Sequence, residues 1–340
     1  MKTGDGRVAD QRMITMQDVA KAAQVSPMTV SNAYRHPHRV QEATRLRILE
    51  IALELGYVPN LSAGHLAAGK SRVIGGTIPS VKNSSFYQYI SGLQEGVAEH
   101  GYKLILMLAD TPEQEMEAIE TLIGLRVAGI VLIGNEHEPA SIDLLSKSHI
   151  PLVETWLLDD AIDMAIGYRI DRAMREVCRH LVAKGRRRIG LIGYDSPASR
   201  RFNERPPIFR EEMALAGLRS DLIYHVEEAH GFGSGPHALE ALLAIDPQLD
   251  AVICPTDIVA ASVIFECGRR SLSVPGQIAV VGWGDYEIAT AMNPALTTVK
   301  PQPWHMGNGA VAMLVDRHET GRKNGRSVDT GYLLVARDSA

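Results

Sequence analysis

From Val73 onward the chain alternates short apolar runs with segments of helical period, and this alternation narrows the possible folds more than any other feature. The runs Val73–Ile78, Leu104–Leu108, Gly129–Ile133, Leu152–Glu154, Ile189–Ile192, Ala251–Cys254 and Ala279–Val281 are too short for helices and read as strands covered on both faces. Between them, Tyr87–His100, Pro112–Leu125, Arg172–Lys184, Ala238–Ala244 and Ile258–Gly268 carry helical spacing. Parallel strands need a crossover of about a dozen residues, and these helices supply it. Right-handed βαβ units and parallel sheets follow. The pattern runs twice, breaking near Gly167–Asp171, which predicts two similar lobes with a cleft between them.

The first 71 residues follow another rule. Residues 1–14 lack periodicity and read as a disordered leader. Thr15 can N-cap a helix that carries Val19, Ala20 and Ala23 on one face. Gln24-Val25 makes a turn. Ser26-Pro27 then opens a second helix, with Ser as cap and Pro at the first helical position. A third helix runs from Glu42 to Leu55, with Leu46, Leu49, Ala52 and Leu53 at helical spacing and Gly56 as its stop. So short a turn between the first two helices predicts a helix-turn-helix. After Pro59, Asn60 can cap one more short helix, Leu61–Ala68.

Charge is divided in the same way. The chain has a net charge of −5, yet residues 1–72 hold ten Lys/Arg against six Asp/Glu, and the remainder holds 25 against 34. A basic head on an acidic body turns one end toward phosphates. The polar start of the chain has no apolar leader, and no run approaches a membrane span, so a cytoplasmic location without membrane contact is expected. Cys178, Cys254 and Cys267 form no CxxC pair, so neither a disulfide framework nor a metal site is indicated. Cys254 and Cys267 read as core residues.

Gly64–Ser71 fits G-x-x-x-x-G-K-[ST], the pattern of a phosphate-binding loop. That loop needs a strand before it and a helix after it. Here a short helix precedes and the strand Val73–Ile78 follows, so the match is a coincidence of small residues. The chain lacks a G-x-S-x-G elbow, a metal-spaced His/Cys cluster and a G-x-G-x-x-G after a strand. Asp257 and Asp285 can be imagined as an acid/base pair, but no spacing compels it. Neither an enzyme nor a cofactor is expected. A periplasmic-type sugar carrier is the other rival, and it leaves the basic head without a role.

The run MQDVAKAAQVSPMTVSNAYRHPHRV over Met16–Val40 resembles the DNA-binding head of the LacI/GalR family of repressors. Leu55–Asn60 is similar to that family's junction, and Ala63-Gly64-His65-Leu66-Ala67 to its hinge helix. Over 73–337 the resemblance is looser but continuous, as in Lys184–Ile189, Thr256-Asp257 and Asn293–Val299. Pro27–Ser31, Pro151–Glu154, Ala165–Tyr168 and Phe265–Cys267 look closest to the family's gluconate-operon branch. The resemblance implies a small all-α helix-turn-helix head plus an α/β core of two periplasmic-binding-protein-like lobes with parallel sheets. The boundaries are then a leader at 1–14, the head at 15–59, hinge helix and linker at 60–71, and an effector-binding, dimerising core at 72–340. Its partners would be pseudo-palindromic double-stranded operator DNA, a second copy of the chain and a small effector.

The second helix of such a motif presents its N-terminal residues to base edges. Those are Ser26, Pro27, Met28, Thr29, Ser31 and Asn32, and the resemblance adds Thr15, Tyr57 and Asn60 at the DNA. Met28 is either core filler or a contact to a thymine methyl, and its place just after the cap favours the latter. Asn32 stands where the family usually has Arg. It can read adenine N6/N7 bidentately or touch only the backbone. The resemblance makes Leu66 a minor-groove wedge, where ordinary packing is the plainer reading.

For the effector, the resemblance points to loops at the C-terminal strand ends. The residues are Phe86 or Tyr87, Glu154, Trp156, Arg205, Thr256, Asp257, Trp283, Gly284 and Asp285. Arg200, Arg201 and Arg210 crowd the same region as Arg205 and read as solvated, whereas Arg205 matches the family's ligand-gripping arginine. Gly284 stands where many sugar-binding members have Asp. Losing a carboxylate while keeping arginines favours an anionic ligand, a sugar acid such as gluconate or a keto-gluconate. Genes of sugar-acid catabolism or uptake would then be the regulated ones.

Overall fold

The computed structural model describes residues 13–59, 71–79, 86–194, 200–227, 229, 231–322 and 325–340. The chain divides between Ser71 and Arg72 into two compact units. Residues 1–12 of the expected leader, and the expected hinge helix with Asn60 and Leu66, lie outside the described residues.

In the first unit, α1 (Met16–Ala22), α2 (Pro27–Arg35) and α3 (Glu42–Glu54) enclose a small core of Val19, Ala20, Ala23, Val30, Ala33, Ile48, Ala52 and Tyr57. Thr15 and Asp18 form a reciprocal capping box: the Thr15 N–H donates to Asp18 Oδ2 at 2.8 Å, and the Asp18 N–H donates to Thr15 Oγ1 at 3.4 Å. Gln24 turns the chain with φ of 54°. Arg47 donates to Ala23 O at 2.9 Å and ties α3 to that turn. One expectation fails here. The leucine period in α3 predicts a buried face of Leu46, Leu49, Ala52 and Leu53, but the buried residues are Ile48 and Ala52, with Leu46 and Leu53 55% and 82% exposed. Apolar residues occupy two faces of α3, so the period alone selects the wrong one.

The second unit holds two lobes. The first begins with β1 (Val73–Ile78), α4 (Phe86–Glu99), β2 (Lys103–Leu108), α5 (Pro112–Gly124), β3 (Gly129–Ile133), α6 (Pro139–Ser148), β4 (Leu152–Thr155) and β5 (Met164–Gly167). The second holds α7 (Ile170–Ala183), β6 (Ile189–Tyr194), α8 (Arg200–Asn203), α9 (Arg205–Leu215), β7 (Ile223–Val226) and α10 (Ser234–Ile245). It continues through β8 (Ala251–Ile253), α11 (Asp257–Arg269), β9 (Ala279–Trp283), α12 (Glu287–Ala291) and β10 (Thr297–Pro301). The chain then returns to the first lobe with α13 (Pro303–Thr320) and β11 (Ser327–Asp329), and ends in the second with β12 (Tyr332–Val335).

The first sheet runs β11-β5-β4-β3-β1-β2 with every pair parallel, and the second runs β12-β10-β9-β8-β6-β7 with only β12 antiparallel. Strand order reverses beside β1 in one sheet and beside β6 in the other, which places a crevice at the strand C-termini of each lobe. Buried internal strands account for the unbroken apolar runs. Leu104–Leu108 was expected to be covered on both faces, but β2 is an edge strand, half-buried, with Leu108 exposed.

The lobes are joined by three crossings: Gly167–Ile170, Pro301–Pro303 and Asp329–Tyr332. The break near Gly167–Asp171 is thus only the first of them. The return helix α13 lies against α4 at very short range. A Cβ on Gly92 would meet Trp304 O at 2.2 Å, and one on Gly307 would meet Tyr89 O at 2.2 Å. Only glycine lets two backbones approach this closely.

Candidate functional site

The head presents a capped, rigid start of α2. The Thr29 N–H donates to Ser26 Oγ at 3.1 Å, and the two hydroxyls share a 2.9 Å hydrogen bond. Ser26, Pro27 and Met28 are exposed, and Met28 at 69% is not core filler. Thr29, Ser31 and Asn32 are half-buried beside them, on the turn whose opposite side carries buried Val30 and Ala33. The fold therefore aims this cluster outward. Thr15 lies in the capping box of α1. Tyr57 departs from the expectation of a DNA contact: it is buried in the head core, with Tyr34 edge-on at 6.2 Å. Its ring closes the small hydrophobic cluster that the short α1 and α2 cannot fill alone.

In the core, the expected effector residues separate into two groups. Phe86 and Trp156 come together in the first lobe, buried, with ring centroids 5.6 Å apart. Trp156 follows β4 with φ of 75°, and Tyr89 flanks it at 6.1 Å. Of the alternatives Phe86 and Tyr87, Phe86 faces inward, whereas Tyr87 is exposed and accepts a hydrogen bond from Gln88. In the second lobe Arg205, Trp283, Thr256 and Gly284 lie close together. Arg205 opens α9, is 5% exposed, and donates from Nη1 to Pro255 O at 2.9 Å. Its guanidinium carbon stands 3.7 Å from the centroid of the Trp283 ring and 5.0 Å from that of Phe202. Thr256 caps α11 through the Val259 N–H and donates to Ala229 O.

The remaining expected residues face elsewhere. Thr155 faces the aromatic cluster, its hydroxyl 3.2 Å from that of Tyr89, so its neighbour Glu154 points to the other face of β4, toward α5 and α6, and the positive φ of Trp156 turns that ring back to the Thr155 side. It accepts from the Ile162 N–H and sits 3.3 Å from His137 Nε2. His137 Nδ1 lies 2.8 Å from Glu115. Burial pushes the His137 imidazole down, but hydrogen bonds and charge from Glu115 and Glu154 outweigh it and raise the pKa to about 9. Asp257 is fully buried and binds Thr298 Oγ1–H and the Tyr286 N–H, and burial lifts its carboxyl to about 7. Asp285 is paired with Arg337 at 2.6 Å and Lys300 at 3.0 Å. Asp257 and Asp285 thus stitch β9, β10 and the C-terminal segment together. Sequence patterns cannot separate a carboxylate that binds ligand from one that binds its own fold.

Gly284 also has a local explanation. Its φ is 133°, and a Cβ there would lie 2.1 Å from the Tyr286 ring. Backbone conformation and packing thus disfavour any side chain at this position, besides any effect on ligand charge. Tyr168 and Phe202 were not anticipated as site residues, although Tyr168 sits in the noted run Ala165–Tyr168. Trp283 Nε1–H donates to Tyr168 Oη at 2.8 Å and joins the two lobes. A recess of about 500 Å3 opens at the lobe boundary, lined by Asp159, Arg169 and Asp171 together with Asn203, Glu204, Pro207 and Ile208. That volume suits a small metabolite. Arg169 forks onto Asp171 and pairs with Asp159 at 3.1 Å, which holds the rim in place.

Among the described residues no group of three or more His, Cys, Asp or Glu side chains could hold a metal ion. No helix among them is long and apolar enough to cross a membrane.

Residues 15–60 match the model for bacterial regulatory proteins of the lacI family, and residues 178–340 match that for a periplasmic binding protein-like domain. The HTH-type transcriptional regulator GntR of Escherichia coli K12 is 31% identical over 326 residues, 94% of this chain and 96% of that protein. A LacI-family transcriptional regulator from Silicibacter pomeroyi superposes with a TM-score of 0.88 at 28% identity, covering 96% of this chain and 99% of that one. The lac repressor dimer bound to operator and the anti-inducer ONPF has the same fold, with a TM-score of 0.82 at 22% identity over 96% and 99% of the two chains.

Proposed function

The chain belongs to the lacI family of bacterial regulatory proteins and is a DNA-binding transcriptional repressor. From that premise we propose that a small sugar acid, gluconate or a keto-gluconate, controls its grip on a pseudo-palindromic operator, which it binds as a homodimer to regulate genes of sugar-acid catabolism or uptake. The observation that carries the effector reading is Arg205. Its guanidinium is buried against the rings of Trp283 and Phe202 at the start of α9. Such a cation is pre-oriented for a carboxylate, and a planar fork matches one bidentately. The 31% identity to a GntR regulator points the same way. Glu154, Asp257 and Asp285 are left out of the effector set, because each is held by its own fold.

DNA is read by Ser26–Asn32, with Met28 against a thymine methyl and Thr29 and Ser31 on phosphates or base edges. One head reads one half-site, so two copies are needed. Ligand bound by both lobes favours one lobe arrangement, and linkage makes that choice alter operator affinity in either direction.

Calorimetry with gluconate, 2-ketogluconate and neutral galactose tests the effector. The acids should bind wild type, and Arg205→Ala should weaken them several-fold or more, since a carboxylate then loses its partner in a desolvated site. Operator binding by the ligand-free variant should be unchanged in a gel shift. Galactose binding with neither acid bound would refute the sugar-acid reading while leaving the repressor intact.

A further inference from the structure

The effector reading counts Trp283 among the residues around the ligand. The geometry gives it another task, and the inference rests on that effector reading. The Trp283 ring is buried with one face beneath the Arg205 guanidinium, whose carbon stands 3.7 Å from the ring centroid. A guanidinium held this close over an indole, with Nη1 already bound to Pro255 O, has little freedom to move. Its direction of approach to an anion therefore depends on where the indole is held.

The indole is fixed from the other lobe. Trp283 ends β9 in the second sheet, but its Nε1–H donates at 2.8 Å to Tyr168, the residue after β5 of the first sheet. Tyr168 lies in the first crossing. Its ring is 6.1 Å from that of Tyr332, which begins β12 at the end of the third crossing, and Tyr332 Oη donates to Glu176 on α7 at 2.8 Å. A continuous run of side chains thus leads from the guanidinium to two of the three segments about which the lobes can move.

We propose that Trp283 is the positioning residue for Arg205, and that its hydrogen bond to Tyr168 makes sugar-acid affinity depend on the setting of the lobe crossings. The reasoning is reciprocal. A lobe arrangement that keeps the Trp283–Tyr168 bond holds the indole, and through it the guanidinium, ready for the carboxylate. A carboxylate bound to Arg205 in turn favours the arrangement that keeps that bond. Trp283 and Tyr168 touch the ligand only through Arg205 in this scheme.

The test is a double-mutant cycle read by calorimetry on the full chain, with gluconate and its neutral isostere gluconamide. Trp283→Phe keeps a ring under Arg205 and removes the N–H donor, whereas Tyr168→Phe removes only the accepting oxygen. Each should weaken gluconate by about three- to tenfold, the scale of one buried hydrogen bond, and the double variant should be no worse than either single one. Gluconamide should be affected less, so the preference for the acid falls. Filling of space by Trp283 would not predict that fall. If Trp283→Phe fails to fold, Tyr168→Phe alone still decides, because it leaves every packing contact in place. Gluconate binding unchanged in Tyr168→Phe, or strictly additive losses in the cycle, would overturn the proposal while the effector reading stands. A wild type that binds neither gluconate nor 2-ketogluconate overturns the effector reading, and the proposal with it.

Discussion

His137 binds three segments of the first lobe with one buried charge, and its removal has a calculable cost. The side chain comes from the loop between β3 and α6 and lies between Glu115 of α5 and Glu154 of β4, the latter also receiving the Ile162 N–H. The imidazole is protonated in the folded chain up to a pKa of about 9, against 6.5 for a free side chain. A raised folded-state pKa stabilises the fold fully below the unfolded value, and the contribution disappears as pH rises through the folded one. The window is therefore pH 6.5 to 9. At 1.36 kcal/mol per unit the full contribution is about 3 kcal/mol, with about 2 kcal/mol remaining at pH 7.5 and almost none at 9.5. His137→Gln removes the charge and keeps much of the volume. Urea unfolding followed by circular dichroism should place the variant about 3 kcal/mol below wild type at pH 6, and the gap should close by pH 9.5. Comparing the two proteins at each pH cancels titrating groups remote from Glu115 and Glu154. A gap that stays constant across that window would refute the reasoning, because an uncharged packing role does not titrate.

Other consequences are direct. Gly307→Ala should destabilise the core by roughly 1–3 kcal/mol in urea unfolding, since its Cβ would press on the Tyr89 carbonyl and neither backbone can yield freely. Asn32→Arg should move base preference toward guanine at one position per half-site, by roughly 1–3 kcal/mol in a binding-site selection, and an unchanged preference would make Asn32 a backbone contact. Sedimentation at micromolar concentration should find a dimer. A monomer with wild-type operator affinity would contradict the two-headed reading.

The fold was legible where burial forced a pattern. Strands β1, β3, β8 and β9 lie inside their sheets, so their residues must be apolar on both faces, and each stands out in the sequence. Edge strands β7, β11 and β12 have one neighbour each and leave no such trace, and the internal strands β5 and β10 are hidden for another reason, since MAIG is only four residues ending in glycine and TTVKP carries threonines, a lysine and a proline. The head was legible from its caps, because Ser26-Pro27 can hardly do anything but start a helix. Its packing was not, since Leu46 and Ile48 are equally apolar and only the positions of Val19 and Val30 decide between them. The effector residues show the same limit. Arg205, Phe86 and Trp156 entered the effector set through the family resemblance, which supplied positions that residue type alone does not single out. The hydrogen bond that joins Trp283 to Tyr168 spans 115 positions and exists only once both sheets are built. Asp257 looked like a ligand group because its partners, Thr298 and the Tyr286 backbone, are invisible until β9 and β10 are side by side.

The return of α13 and β11 to the first lobe has a consequence for synthesis on the ribosome. Ser327 of β11 pairs with Ala165 of β5, and α13 covers α4 through the Gly92–Gly307 contact, so the first lobe is unfinished until nearly the whole chain has emerged. At about 5–20 residues per second, β5 waits on the order of ten to thirty seconds for its edge partner while the strands of the second lobe appear. The head, complete within its own sixty residues, can fold in the meantime. Nascent chains halted before Pro303 should therefore expose the α4 face of the first lobe to chaperones, whereas chains in which Thr320 has cleared the ribosome already carry the helix that covers it.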